Sequence, residues 1–143
     1  MEKYDALKIE NQLCFPLYAS AKEVVKKYKP YLDEIDLTYT QYITMMVLWE
    51  YGQMNVKALG ERLYLDSGTL TPLLKKLETK GLVIRKRSDK DERNMTVSLT
   101  EAGMQLREKA VSIPEAIGSC INLTKEEMVA LYRILYKILD KEN

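Results

Sequence analysis

Residues 55–82 constrain the fold of this chain most strongly, because they hold two short apolar helical patterns separated by a tight turn. The first pattern opens at Asn55, a favoured helix cap, and its apolar positions are Val56, Leu59 and Leu63. The turn is Tyr-Leu-Asp-Ser-Gly, in which Asp66 or Ser67 can cap the second helix. Two short helices joined in this way predict a helix-turn-helix unit. The apolar positions of its second helix are Leu70, Leu73, Leu74 and Leu77.

A β-hairpin is predicted directly after this unit. Residues 82–87 and 95–100 are rich in β-prone side chains, and the charged, turn-rich sequence Ser-Asp-Lys-Asp-Glu-Arg-Asn separates them. Thr100 then caps the next predicted helix. The combination predicts a winged helix-turn-helix, in which the hairpin is the wing.

Helical patterns also precede this unit. Residues 7–33 predict a first helix, which we expect to break near Pro16 and to end or kink at Pro30. Residues 36–52 predict a second helix, whose dense apolar run places it at the centre of the core. Two residues can cap that second helix, Thr38 and Thr40.

The C-terminal region is predicted to be helical as well. Pro114 and Gly118 are expected to interrupt the helix that Thr100 opens. Thr124 and Glu127 then have the spacing of a capping box at the start of a last helix. The predicted order is three to four helices, a wing and two helices. The predicted fold class is therefore mainly α with a small β-hairpin wing.

The apolar surface of the terminal helices bears on how many chains assemble. Residues 36–100 are expected to form the winged helix-turn-helix DNA-binding domain, and residues 1–35 and 101–143 a helical dimerisation region. A two-fold dimer doubles the contacts with a two-fold DNA site, which favours this assignment. The alternative is that the terminal helices complete a monomeric core.

The overall composition excludes several classes of protein. The first residues are charged and lack an apolar stretch, and no apolar run approaches the roughly 18 residues of a membrane span, so a cytoplasmic protein without membrane contact is expected. Two cysteines in a reducing compartment are expected to be free thiols. The chain has no histidine, so histidine-based zinc sites and catalytic triads are excluded, and no metal or cofactor is expected.

Positive charge is concentrated where the helix-turn-helix is predicted. Residues 57–93 hold ten lysines and arginines against six acids, although the whole chain carries a net charge of only +1. A positive surface on a winged helix fits contact with DNA phosphates. The alternative is an ordinary solvated face.

The predicted DNA-contacting residues divide by their place in the unit. Small hydroxylated residues at the start of the second helix can approach base edges in the major groove, and lysines further along suit backbone phosphates. Near the wing tip, Arg93 can enter the minor groove, with Asp91 as its orienting partner. The remaining members of the set are Ser67, Thr69, Thr71, Lys75, Lys76, Arg85, Lys86 and Arg87.

Cys14 is the residue whose role the pattern leaves open. A free cysteine more often packs as a small apolar side chain than it reacts. If a helix starts near Pro16, however, Cys14 lies at its N-terminus, where the helix dipole favours a thiolate. Its neighbours Leu13, Phe15 and Leu17 would favour an apolar peroxide over a small hydrated one.

The sequence resembles the MarR family of winged-helix transcriptional repressors. The similarity runs through residues 59–103 and includes the Asp-x-Arg element of the family's wing, here Asp91-Glu92-Arg93. Residues 13–32 and 37–50 resemble the organic-hydroperoxide-sensing (OhrR-type) branch. The similarity is strong from about residue 11 to the end of the wing helix, whereas the last 30 residues match only in helical pattern.

This resemblance implies a homodimer that binds an inverted-repeat operator in double-stranded DNA, with an organic hydroperoxide as inducer. Oxidation of Cys14 would relieve repression, and Tyr28 and Tyr39 of the other subunit would hydrogen-bond its thiol. Tyr18 would line the same pocket, and Cys120 would be the resolving thiol where the family uses one. Pro16 departs from the aliphatic residue expected in relatives.

Three other functions remain open on the sequence. One is a MarR-type regulator that answers to a small aromatic ligand, with Cys14 inert. A second is an enzyme resembling thiol peroxidases, although such an enzyme gives no reason for a winged helix. A third is a winged-helix module that binds proteins, for which salt-dependent DNA affinity would be absent.

Overall fold

The computed structural model describes residues 2–88 and 94–140. Two single turns of 3₁₀ helix, Asp5–Leu7 and Ile9–Asn11, precede the first long helix. The remaining elements, in chain order, are α1 (Cys14–Asp33), α2 (Tyr39–Tyr51), β1 (Gln53–Asn55), α3 (Val56–Leu63), α4 (Ser67–Thr79), β2 (Val83–Arg87), β3 (Met95–Leu99), α5 (Glu101–Ala110), α6 (Ile113–Gly118) and α7 (Lys125–Leu139). None of the helices in the described ranges is both long and apolar enough to cross a bilayer.

The helix-turn-helix and the wing are both confirmed. Helices α3 and α4 form the two helices of the unit, and β2 and β3 pair antiparallel as the wing, with Arg85 opposite Val97. The fold class is thus mainly α with a small sheet, as predicted.

Helix α2 lies at the centre of the core, as its apolar run predicted. Its residues Met45 and Leu48 are fully buried, together with Leu59 of α3, Leu77 of α4 and Val97 of β3. The core therefore joins both helices of the helix-turn-helix to the wing. Burying side chains of this size stabilises the fold by roughly 1.5–3 kcal/mol each.

Side-chain caps define where most of these helices start. Asn55 accepts bonds from the N–H groups of the first turn of α3, as predicted. Of the two candidates for α4, Asp66 is the cap, because its carboxylate accepts the Thr69 N–H. Of the two for α2, Thr38 is the cap, within a full capping box. The capping box predicted at the start of α7 is also present.

Helix α1 differs from the expectation at both of its prolines. The expected break near Pro16 is wrong: the helix begins at Cys14 and runs without a break to Asp33, and the irregular part lies before it. Pro16 falls in the first turn, where the backbone N–H has no helical partner to lose. Pro30 lies inside the helix, which continues for three more residues instead of ending there.

The sheet contains a third strand that the pattern did not predict. Strand β1 pairs antiparallel with β3, and the strand order is β1-β3-β2. Three residues are too few to show a two-residue period, and Asn55 was recognised only as a helix cap. The strand ties the start of α3 to strand β3 of the wing.

The C-terminal region has three helices instead of the expected two. Residues 113–118, which were expected to interrupt a helix, form the short helix α6. Pro114 falls in its first turn, where proline is tolerated. Ile113 and Ile117 of this helix are buried in the core.

Helix α5 packs against the wing at an unusually close approach. A Cβ atom on Gly103 would lie 2.1 Å from the carbonyl oxygen of Leu82, so only glycine fits there. The Gly103 carbonyl oxygen also accepts a 2.8 Å hydrogen bond from Trp49 Nε1, which gives the indole a packing role. These contacts fix α5 between α2 and the start of β2.

Candidate functional site

A broad groove lies between α3, α4 and the wing, and we call it the α4 groove. It brings together five of the predicted DNA-contacting residues, namely Ser67, Thr71, Lys75, Arg85 and Arg87. Lys57 and Asn94 also line it, although the sequence did not single them out. Lys57 lies two residues after the helix cap Asn55, so its side chain is at the start of α3. This position relative to the cap is the sequence signal that could have identified Lys57.

The other predicted DNA-contacting residues do not line this groove. Thr69 and Lys76 are exposed elsewhere on α4. Lys86 lies on the opposite face of β2 from Arg85 and Arg87, because side chains alternate along a strand. The proposed pair Asp91 and Arg93 falls outside the described residues.

Arg85 is engaged by Glu78 from the last turn of α4. The guanidinium donates to Glu78 Oε1 through Nη2 at 3.1 Å and through Nε at 3.4 Å. The Arg85 backbone N–H donates to Glu78 Oε2 at 3.1 Å. These hydrogen bonds hold the pKa of the Glu78 carboxyl below its ordinary value, so the carboxylate stays ionised.

A second polar contact joins the loop end of the wing to the start of α3. The Asn55 side chain donates from Nδ2 to Asn94 Oδ1, while its own Oδ1 accepts the N–H groups of Lys57 and Ala58. One side chain therefore caps α3 and holds the residue that precedes β3.

Cys14 is the first residue of α1, and its side chain is exposed. No side chain caps this helix, so the backbone N–H groups of its first turn can stabilise a negative charge at Cys14. Tyr18 follows one turn later and is also exposed. Because α1 begins at Cys14, the structure places this thiol at a helix N-terminus, as predicted.

The predicted tyrosines Tyr28 and Tyr39 lie together, half-buried, with ring centroids 4.9 Å apart. Tyr42 completes a cluster with centroids 5.8 and 6.4 Å from these two rings. Burial raises the pKa of all three phenols, and that of Tyr42 to about 12. The three groups are therefore neutral hydrogen-bond donors at any physiological pH. Tyr42 was not predicted as part of this cluster.

A single chain does not bring Cys14 to this cluster. Cys14 and Tyr28 lie in one continuous helix, fourteen residues apart. At 1.5 Å of rise per residue, their Cα atoms are separated by roughly 21 Å along the axis. Contact between the thiol and Tyr28 therefore requires a second chain.

Cys120 has its own tyrosine partner, Tyr31, which the sequence did not reveal. The Tyr31 hydroxyl lies 4.0 Å from the Cys120 sulphur, which is also 3.3 Å from the Ala116 carbonyl oxygen. Tyr31 is seventeen residues beyond Cys14 in α1, a rise of roughly 26 Å. A disulfide needs Cα atoms within about 7 Å, so this fold excludes a Cys14–Cys120 bond within one chain.

Known proteins resemble this chain over nearly its whole length. A family model for the transcriptional regulators SarA/Rot matches residues 26–110. The organic hydroperoxide resistance transcriptional regulator of Bacillus subtilis is 51% identical over 138 residues, which cover 96% of this chain and 94% of that protein.

Solved structures of AbfR from Staphylococcus epidermidis show the same fold. Overoxidised AbfR bound to DNA is 34% identical with a TM-score of 0.77, over 96% of this chain and 97% of that one. The disulfide form of AbfR is 33% identical with a TM-score of 0.66, over 96% and 97%. With the winged helix, the α4 groove and the placement of Cys14, these similarities establish that the chain belongs to the MarR-type winged-helix transcriptional regulators, in the branch that contains the organic hydroperoxide resistance regulator.

Proposed function

We propose that this protein is a transcriptional repressor whose affinity for operator DNA falls when an organic hydroperoxide oxidises Cys14. The observation that carries the proposal is the exposed cysteine at the uncapped start of a long helix. The same chain contains a winged helix-turn-helix, which is a DNA-binding unit. The protein acts by binding DNA in the cytoplasm and does not turn over a substrate as an enzyme.

The α4 groove is the proposed DNA-contacting surface. Helix α4 presents Ser67 and Thr71 at its N-terminal end, and Lys57, Lys75 and Arg87 surround them. Hydroxyl groups at a helix start suit base edges, whereas the cations suit phosphates. The wing would reach the adjacent minor groove through Arg93, with Asp91 beside it. This division follows the pattern of winged-helix repressors that the sequence resembles.

The proposed assembly is a homodimer on an inverted repeat. Helix α7 has no buried residue in the single chain, although it is apolar on more than one face. The start of α1 is similarly exposed at Leu13, Phe15 and Leu17. Both surfaces fall in the regions 1–35 and 101–143, which supports the assignment of these regions to dimerisation. A helix with this much apolar surface is normally covered.

The proposed reaction begins at the thiolate of Cys14. The thiolate attacks the terminal oxygen of the hydroperoxide, the O–O bond breaks, and the alkoxide leaves and takes up a proton as an alcohol. The sulphur is oxidised by two electrons to a sulfenic acid. This acid then condenses with a thiol, either Cys120 or a small cellular thiol, to give a disulfide and water. Neutral phenols of Tyr28 and Tyr39 from the partner would donate hydrogen bonds to the thiolate without adding charge.

AbfR has been solved both bound to DNA and in a disulfide form. The chain superposes with a TM-score of 0.77 on overoxidised AbfR bound to DNA, of 0.76 on reduced AbfR bound to DNA and of 0.66 on the disulfide form. The fold described above is thus more similar to the DNA-bound structures than to the disulfide form. Disulfide formation is the step that we expect to weaken operator binding.

Oxidation with cumene hydroperoxide tests the proposal. We expect one equivalent per subunit to weaken operator binding of the wild-type protein by roughly 5–150-fold, the usual range for coupled sites. Cys14→Ser is expected to bind operator with wild-type affinity, and the oxidant should not change that affinity. Fluorescence anisotropy measures the affinity, and intact-mass spectrometry of the same sample identifies the sulphur product. Unchanged binding by fully oxidised wild-type protein would refute the proposal.

The role of Cys120 has a separate test. If Cys120 is the resolving thiol, oxidised wild-type protein is expected to run as a disulfide-linked dimer on non-reducing electrophoresis, because this fold keeps the two cysteines of one chain apart. Cys120→Ser is expected to remain monomeric on the gel and to keep the sulfenic acid longer. Equal amounts of linked dimer from both proteins would assign resolution to another thiol.

A regulator of small aromatic ligands is the second candidate, and one observation favours it. A cleft of about 200 Å³ between α2 and the α5–α6 corner is lined by Tyr42, Met46, Trp49, Arg107, Ala110, Val111 and Pro114. Its apolar walls and single arginine suit an aromatic anion. Ligand pockets typically enclose roughly 300–1,000 Å³, so this cleft is small for the task. A Cys14→Ser protein that still releases DNA with a phenolic acid would support this candidate.

A further inference from the structure

Glu78 is an unexpected residue on a surface proposed to bind DNA. It lines the α4 groove among Lys75, Arg85 and Arg87, and its carboxylate is ionised. A negative charge on this surface repels phosphates and weakens binding by itself. Glu61 lines the same groove, so the contacts that Glu78 makes are what distinguish it.

The contacts of Glu78 identify that contribution. Strand β2 is at the edge of the sheet, because the strand order is β1-β3-β2. Glu78 Oε2 accepts the Arg85 backbone N–H at 3.1 Å, and Oε1 accepts two guanidinium N–H groups of the same residue. One carboxylate thus holds both the main chain and the side chain of Arg85. The Arg85 side chain is only 17% exposed, whereas that of Glu78 is 39% exposed, so the arginine is the more shielded partner of the pair.

We propose that Glu78 is a positioning residue that sets the angle of the wing relative to α4, so that both elements reach the DNA in one register. This inference rests on the proposed DNA-binding function and is independent of Cys14 chemistry. Arg85 is then a member of the clamp and not a phosphate contact.

The arrangement of the wing explains why one clamp has this effect. Asn55 holds Asn94 beside the start of β3, at the loop end of the hairpin. Strand β1 also pairs with β3. Glu78 holds Arg85 in the middle of β2, the edge strand. Without Glu78, β3 keeps its contacts with Asn55 and β1, but β2 loses this link to α4, so the hairpin can rotate relative to α4.

The proposal predicts an effect opposite in sign to simple electrostatics. Glu78→Ala removes a negative charge from the groove, which by itself tightens DNA binding. If Glu78 positions the wing, the same change weakens binding to the specific site instead. Glu61 is a matched control, because it lines the same groove from α3 and its carboxylate makes no hydrogen bond or ion pair among residues 2–88 and 94–140.

The experiment uses the full-length protein and a duplex that the wild-type protein selects from a randomised library. We expect Glu78→Ala to bind this duplex roughly tenfold more weakly, since hydrogen bonds to charged groups are lost. Its affinity for a scrambled duplex should be unchanged or higher. Glu61→Ala should bind both duplexes as tightly as wild type or more tightly. Glu78→Gln removes the same negative charge as Glu78→Ala but keeps one acceptor oxygen. It should therefore recover part of the affinity for the selected duplex.

The outcomes separate this inference from the proposed function. If the wild-type protein selects no duplex, the proposed DNA-binding function fails and the inference fails with it. If selection succeeds but Glu78→Ala binds the selected duplex as tightly as Glu61→Ala does, only the positioning role is overturned. Circular dichroism melting of each variant identifies loss of folding. If Glu78→Ala does not fold, Glu78→Gln is compared with the wild-type protein instead. The quantity compared is the affinity for the selected duplex divided by the affinity for the scrambled duplex. A ratio equal to that of the wild-type protein would overturn the proposal.

Discussion

Gly103→Ala is expected to destabilise the fold by about 3 kcal/mol, the upper part of the range for an overpacked core. The new Cβ would lie 2.1 Å from the carbonyl oxygen and 3.1 Å from the carbonyl carbon of Leu82. It would also lie 3.2 Å from a methyl group of Leu99. Two of these three atoms are backbone, so no side-chain rotation can relieve the contact. Either α5 or the start of the wing must move.

The movement should also reduce DNA affinity, because the wing begins next to Leu82. The Leu82 carbonyl oxygen also accepts the Thr100 N–H at 3.1 Å, so a shift would loosen both strands of the hairpin at their base. Urea unfolding followed by circular dichroism measures the stability. Gly118→Ala is the matched control, since no atom lies within 4 Å of a Cβ built there. We expect that variant to be as stable as wild type or slightly more so. Equal stability of the two variants would contradict the close packing of α5.

Ile134→Asp is expected to dissociate the proposed dimer. Ile134 lies on α7, where it is 48% exposed in the single chain, and the helix has no buried residue of its own. An unpaired carboxylate in an apolar interface costs several kcal/mol, so the dimer dissociation constant should rise by roughly 100-fold or more. Operator affinity should fall with it, because a single subunit contacts one half-site only.

Ile84→Asp provides the comparison for this variant. Ile84 is 47% exposed, but it lies on the wing and not on the terminal helices. Sedimentation velocity at several concentrations should therefore show a dimer for Ile84→Asp and a monomer for Ile134→Asp. If both variants remain dimeric, α7 does not form the interface, and the division of the chain into a dimerisation region and a DNA-binding domain is wrong.

Local patterns were sufficient to predict most of the DNA-binding unit. The caps Asn55 and Thr100 and the β-prone runs of the wing all act over a few residues, and the structure confirms them. For α4 the sequence offered two caps, and the structure shows that Asp66 is the one whose carboxylate accepts the Thr69 N–H. Pro16 was misjudged because its cost depends on where the helix begins, and that start is set by the irregular segment before Cys14.

Contacts between distant residues were not predictable in the same way. Strand β1 exists only because β3 pairs with it, and the paired residues are as much as 45 positions apart, as for Gln53 and Ser98. The Tyr31–Cys120 contact joins residues 89 apart, and the Glu78–Arg85 clamp depends on the angle between a helix and a strand. No local pattern contains that information.

The sequence by itself determined the winged helix-turn-helix, the positive charge around it and the identity of Cys14 as the thiol to consider, because these depend on residue type and short-range spacing. Only the tertiary structure decided that Cys14 opens an uncapped helix and that Tyr28, Tyr39 and Tyr42 form one cluster. It also decided that this cluster is too far along α1 to serve the thiol of its own chain. The physical reason is that a continuous helix keeps its two ends apart, so a site that needs both ends must be built from two chains.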